Sequence, residues 1–276
     1  MTYEKSVSDH YAHGALLESI RTALDALGKT VETVTIEDLG PVDEFHIGGR
    51  PATKRLIEQL GLAADDHVLD VGCGLGGAAR FVASQFGTRV SGIDLAPEYV
   101  ETGNALCDWV RLADRISLRE GSALNMPFED ETFDAGYMLH VGMNIEDKGK
   151  LFGEIARVLK PGARFGVYDI MRQEQGDLIF PVPWAADAKT NKLGTASQYK
   201  KALRDAGFRV LAEEDRRDFA IQFFQALRAK AETGEGPAPL GLHTLMQAST
   251  GTKINNMIEN IGAGLVAPVE IIAQKS

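Results

Sequence analysis

The chain reads as an α/β protein: a doubly wound parallel sheet with crossover helices, extended by helical insertions. Three observations predict this. The apolar run Val68-Leu69-Asp70-Val71 enters a glycine cluster, Gly72-Cys73-Gly74-Leu75-Gly76-Gly77, and then a helical pattern, so strand, tight turn and helix follow in order. Strand-like stretches at 68–72, 88–94 and 115–121 alternate with helix-like stretches at 76–86 and 97–112. Two of those strands end at or beside an acid, Asp70 and Asp94, at the carboxyl edge where ligands of such sheets gather.

The other elements follow from local pattern. Residues 8–28 space Leu16, Ile20, Leu24 and Leu27 as on one face of a helix that closes at Gly28. Residues 30–41 form a weaker segment, and 43–50 a polar loop holding His46, before a helix opened by Pro51 and ended by Gly61. Residues 133–139 make a fourth strand that leads into His140-Val141-Gly142-Met143-Asn144, and a helix spans 146–159 before Pro161-Gly162. A fifth strand covers 164–171. The connection 173–193 is too long and too proline-marked for a plain loop, and so counts as an insertion. A helix at 195–206, a strand at 208–214, a helical insertion over 218–264 broken at 234–237, and a last strand at 268–273 complete the chain. The domain division is an N-terminal helical cap over 1–50 and a main domain over 51–276 with the two insertions.

Composition bounds the function. A chain of 276 residues buries a core without staples, and two cysteines, Cys73 and Cys107, make no disulfide framework and point to a reducing compartment. The N-terminal residues have no apolar signal core and no run is long enough to span a bilayer, so the cytoplasm is the expected address and no membrane partner is expected. The formal charge of −10 argues against a nucleic-acid partner, since binding to phosphate backbones rests on clustered Lys and Arg.

The glycine loop itself leaves two ligands open, because Gly72-x-Gly74-x-x-Gly77 also matches a dinucleotide fingerprint. Asp70, two residues before the first glycine, would repel a pyrophosphate and attract an ammonium, which favours a cationic amino acid moiety. Asp94 suits ribose hydroxyls of either ligand. The order of the remaining motifs discriminates: Gly92-Ile93-Asp94, Gly121-Ser122-Ala123-Leu124-Asn125-Met126-Pro127-Phe128, Phe133-Asp134-Ala135 and Leu159-Lys160-Pro161-Gly162. Over residues 45–215 this set resembles the class I S-adenosylmethionine-dependent methyltransferases, in their small-molecule branch of sarcosine/dimethylglycine N-methyltransferases and quinone or sterol C-methyltransferases.

The resemblance implies a Rossmann-like seven-stranded sheet, mostly parallel, with the last strand inserted antiparallel. It implies S-adenosyl-L-methionine as cofactor and S-adenosyl-L-homocysteine as product. The cofactor would be held by Asp70, Gly72, Gly74 and Gly76 at the first turn, by Asp94 and Leu95 at the second strand, and by Ser122, Ala123 and Leu139 beyond. Many relatives carry an acid where Ser122 stands, to receive the adenine amino group; a hydroxyl does this more weakly. A small-molecule acceptor is expected, with N-methylation ahead of C- or O-methylation. His46 and His140 are the candidate catalytic bases, each with a plain reading as a hydrogen-bonded loop residue. Tyr11, Asn144, Tyr168 and Trp184 are the candidate acceptor contacts; packing is the plain reading of Tyr11 and Trp184. No cluster has metal-ligand spacing. The helical insertion is a candidate lid or homo-oligomer contact. A non-catalytic S-adenosylmethionine-binding protein and a nicotinamide oxidoreductase are the alternatives.

Overall fold

A computed structural model describes residues 3–12, 14–232 and 238–276. Its strands are β1 (His67–Val71), β2 (Arg89–Asp94), β3 (Ile116–Glu120), β4 (Phe133–Leu139), β5 (Leu159–Arg172), β6 (Phe208–Asp215) and β7 (Val266–Lys275). They form one sheet in the order β3-β2-β1-β4-β5-β7-β6, in which only β7 runs against its neighbours. The order reverses between β1 and β4, which opens a crevice at their carboxyl ends. β5 begins five residues earlier than its pattern predicts, because Leu159 already pairs with Phe133 and the register then shifts around Pro161-Gly162.

The helices are α1 (Tyr3–Tyr11), α2 (Leu16–Ala26), α3 (Ile36–Asp43), α4 (Gly49–Glu58), α5 (Gly77–Phe86), α6 (Pro97–Trp109), α7 (Lys148–Val158), α8 (Ala196–Asp205), α9 (Arg217–Glu232), α10 (Leu242–Met246) and α11 (Thr250–Gly262). Apolar clusters on both faces of the sheet, centred on Phe152, Phe165 and Tyr199 and on Leu56, Val82 and Tyr137, exclude water and fix the strand register.

The helix expected over 8–28 is two helices. The Glu98 carboxylate of α6 accepts from the backbone N–H groups of Gly14 and Leu16 at 2.8 and 2.9 Å, and so caps α2 from a distant element. α2 then buries Leu16, Ile20 and Leu24 with Leu39 of α3 against Tyr99 and Leu106 of α6. α1 buries no residue fully. α3 starts at a capping box between Thr35 and Asp38. The insertion after β5 has no helix, and it packs Val182 and Trp184 against Phe224 of α9 and Met257 and Ile261 of α11. The expected break at 234–237 lies outside the described residues. Among the described residues no helix is long and apolar enough to cross a membrane.

Candidate functional site

A cavity of about 430 Å³ lies over the crevice between β1 and β4. Its floor is the turn after β1. Gly74 sits at φ +51°, and a Cβ there would meet nothing nearer than Tyr99 at 3.9 Å, so its bare Cα leaves room on the cavity side. Gly76 is placed differently from its prediction: it caps α5 at φ +75°, its missing Cβ makes room for Leu118, and it does not line the cavity.

Two acids stand at the strand tips. Asp70 is buried, accepts from the Tyr137 hydroxyl at 2.9 Å, and burial pushes its carboxyl up to about 7. Asp94 takes one backbone N–H on each oxygen, from Gly74 at 2.8 Å and from Ala96 at 2.9 Å. Each oxygen keeps a lone pair for a further donor, and burial pushes this carboxyl up too. Gly72, Leu95, Ala123 and Leu139 line the same half of the cavity.

Ser122 does not line it. Its hydroxyl donates to the carboxyl group of Glu4 and accepts from the Leu124 N–H at 3.0 Å. Glu4, on α1, is the group that faces the cavity at this point. Pattern reading missed it because nothing around residue 4 announces a partner 118 residues away.

The other half of the cavity holds both candidate bases. His46 Nε2 lies 3.1 Å from the Gly49 carbonyl and 2.9 Å from the Thr53 hydroxyl, which itself donates to Glu44 at 3.0 Å. A carbonyl can only accept, so Nε2 carries the proton, and in the neutral ring Nδ1 carries the lone pair. Burial lowers the His46 pKa despite the nearby Glu44, which favours that neutral form. His140 has φ +54°, and its ring centroid is 5.9 Å from that of His46. Burial lowers its pKa well below the usual value, with His46 adding to the effect. His140 Nε2 has no hydrogen-bond partner.

Two of the four expected acceptor contacts reach the cavity. Tyr11 and Asn144 line it, with Asn144 Nδ2 donating to the Tyr11 hydroxyl at 3.4 Å. Tyr168 lies behind the histidines, its ring stacked on His140 at 5.2 Å. Trp184 stands in the core under the insertion, its Nε1 donating to Asn191 at 2.8 Å, and does not line this cavity. The cation–π role is therefore replaced by packing behind Ile47 and Met143, the neighbours of His46 and Asn144.

The charge of the lining is one-sided. Glu4, Asp43, Asp70, Asp94, Glu146 and Asp147 all line the cavity, and no Lys or Arg does. Asp43 holds Arg80 in a fully buried ion pair, Oδ1 to Nη2 at 2.6 Å, which leaves Oδ2 without a partner. Among the described residues, no group of three or more His, Cys, Asp or Glu is arranged to hold a metal ion.

The chain is similar to known methyltransferases. Residues 69–167 match the family model of the methyltransferase domain. The chain is 28% identical over 243 residues to the O-methyltransferase resE of Aspergillus sclerotiorum, across 86% of this chain and 89% of that protein. It is 31% identical over 240 residues to the sterol 24-C-methyltransferase of Eremothecium gossypii, across 77% of this chain and 64% of that protein, just under two thirds of its length. A solved structure described as a putative sarcosine dimethylglycine methyltransferase from Galdieria sulphuraria shares the fold, with a TM-score of 0.68 at 23% identity over 94% of this chain and 98% of that one.

Proposed function

Because the chain belongs to the class I S-adenosylmethionine-dependent methyltransferases, we propose that it methylates a small uncharged or cationic acceptor, with an amine in first place. The observation that carries this reading is the cavity lining: six carboxylic side chains line it, of which Arg80 pairs with Asp43 and Lys192 with Glu146, no Lys or Arg lines it, and the His46 imidazole, which burial keeps neutral, lines the same cavity. Such a wall attracts an ammonium and repels a phosphate. The sarcosine dimethylglycine assignment of the Galdieria protein agrees with an amine acceptor.

The residues fit the cofactor. Asp94 keeps lone pairs for two ribose hydroxyls, Asp70 stands where an ammonium would be held, and the bare Gly74 leaves room for close approach. When bound, S-adenosylmethionine supplies an activated methyl on sulfur. The chain then has to align the acceptor, exclude water and remove a proton. Tyr11, Phe45 and Tyr99 pack edge to face as an apolar wall, which excludes water. An amine must be unprotonated to attack, and His46 takes its proton at Nδ1 while Gly49 and Thr53 hold Nε2. Tyr168 backs the His140 ring and keeps both imidazoles side by side.

The same aromatic wall favours a second reading, O-methylation of a phenol, in line with the resE enzyme. Labelled S-adenosylmethionine offered with secondary amines, phenols and phosphorylated amines separates the two. Label is expected in the unphosphorylated amines; transfer to phenols alone would sink the amine reading, and preferential transfer to phosphorylated amines would sink the argument from the acidic lining.

A further inference from the structure

A second, smaller compartment of about 150 Å³ adjoins the main cavity, and Tyr11, Phe45, Tyr99 and Leu245 line both. Its outer wall comes from the least regular parts of the chain: His10 near the end of α1, Pro183 of the insertion after β5, and Met246 to Lys253 around the start of α11. The cofactor half of the main cavity is built from strand-end turns, whereas these segments are additions to the sheet. None of the strand-end turns lines this second compartment, which places it to read the acceptor.

The chemistry of the compartment is the reverse of its neighbour's. It holds no acid, and its one full cation is Lys253, which is half-buried and has no carboxylate within ion-pair distance among the described residues. Its exposed surface is mainly polar, Gln247 and Ser249 line it together with the lysine, and His10 presents a ring whose Nε2 is fixed as donor to the Pro183 carbonyl at 3.0 Å. Burial lowers the pKa of Lys253, and the lysine in turn helps to lower that of His10, so the two groups face the same space. Burial makes the charged form of Lys253 costly, and an anion held in the same compartment would offset that cost.

We propose that this compartment binds a carboxylate carried by the methyl acceptor, with Lys253 as its counter-ion, while the acceptor nitrogen lies in the acidic cavity near His46. The two compartments then match a zwitterion, amine on one side of the aromatic wall and acid on the other. This assignment rests on the amine reading given above, and it specifies the acceptor as an amino acid or a related amino carboxylate.

The test is calorimetric titration of the full chain with N,N-dimethylamino carboxylic acids of increasing chain length, each against its methyl ester. It is run with and without S-adenosylhomocysteine, and repeated on Lys253→Ala and Lys253→Arg. At least one acid is expected to bind about tenfold more tightly than its ester. Lys253→Ala should remove that preference, Lys253→Arg should keep most of it, and S-adenosylhomocysteine affinity should be unchanged in both. A preference that survives Lys253→Ala, an ester that binds as well as its acid, or no binding of either overturns the proposal. Failure of the chain to bind S-adenosylhomocysteine would instead refute the function reading, and the titration without the nucleoside would still report on Lys253.

Discussion

The Ser122 hydroxyl donates to the carboxyl group of Glu4, and this one bond ties the first turn of α1 to the turn after β3. The resemblance implies an acid for the adenine amino group at position 122, and we propose that Glu4 supplies it here from another element. Glu4→Ala is expected to weaken S-adenosylhomocysteine binding by about tenfold, the loss of one hydrogen bond to a charged group. The analogue with hypoxanthine in place of adenine should lose far less. Ser122→Asp in the Glu4→Ala background should restore the nucleoside's affinity. Equal losses for both nucleosides, read by calorimetry, would remove Glu4 from adenine recognition.

His46 offers a base whose tautomer is set by its surroundings. His46→Ala should lower kcat by about 10²- to 10⁴-fold, the usual contribution of a general base, and leave S-adenosylmethionine affinity intact. The sign of the pH effect follows from burial, which lowers the His46 pKa below 6.5. The neutral, active form persists into mildly acid solution, so the rate should fall only below that usual value, and His46→Ala should lose this inflection. An unchanged profile in the variant would assign the proton to another group.

The parts of this molecule that were legible in the sequence are those whose signal is local. The turn after β1, the acids Asp70 and Asp94, and the span Phe133–Leu139 of β4 are set by short-range pattern and lie as expected. The misplaced residues depend on contacts between distant segments. Gly76 serves the packing of α5 on Leu118, Ser122 is covered by Glu4, and Tyr168 stands behind His140. Trp184 carries the same composition signal whether it covers a ligand or anchors a loop, and the clustering of Ile170, Phe224 and Met257 around it decides for the anchor. The break between α1 and α2 comes from Glu98, which no window around residue 14 contains. Lys253 gave no sequence signal, since a lone lysine on a helix is ordinarily a solvated one.

The Arg80–Asp43 pair joins α5 to the end of α3 with neither side chain exposed. Arg80 also donates to the Gly103 carbonyl at 3.3 Å, so it fastens three helices around the base of the cofactor turn. Arg80→Met should destabilise the fold by about 3–5 kcal/mol, since it leaves Asp43 buried with no partner. Asp43→Asn combined with Arg80→Met should recover part of that loss, because no charge then remains to be buried. Urea unfolding midpoints at constant slope measure both; a loss under about 1 kcal/mol for Arg80→Met would mean that the pair is neutral in this setting.

Asp70 and Asp169 make the stability of the ligand-free chain depend on pH. Burial is the main cause that pushes both carboxyls up to about 7, and the hydroxyls of Tyr137 and Tyr199 pull them back in part. In the unfolded chain an aspartate titrates near about 3.9. A raised folded value means that the folded state holds its protons longer. The stabilisation is therefore complete below about pH 4, declines as pH rises, and is gone above about 7. His46 and His140, whose pKa values burial lowers, act in the opposite sense up to about 6.5, so the total is a poor probe. The difference between each variant and the parent isolates the acid. Asp169→Asn cannot ionise and keeps its shape, so its Tm relative to the parent should rise between about pH 4.5 and 7 and then level off. Asp70→Asn should do the same without ligand. Saturating S-adenosylmethionine should reverse the Asp70→Asn advantage above pH 7, because the bound cation rewards the ionised carboxylate that only the parent can form. A pH-independent Tm difference for both variants would show that neither carboxyl is shifted.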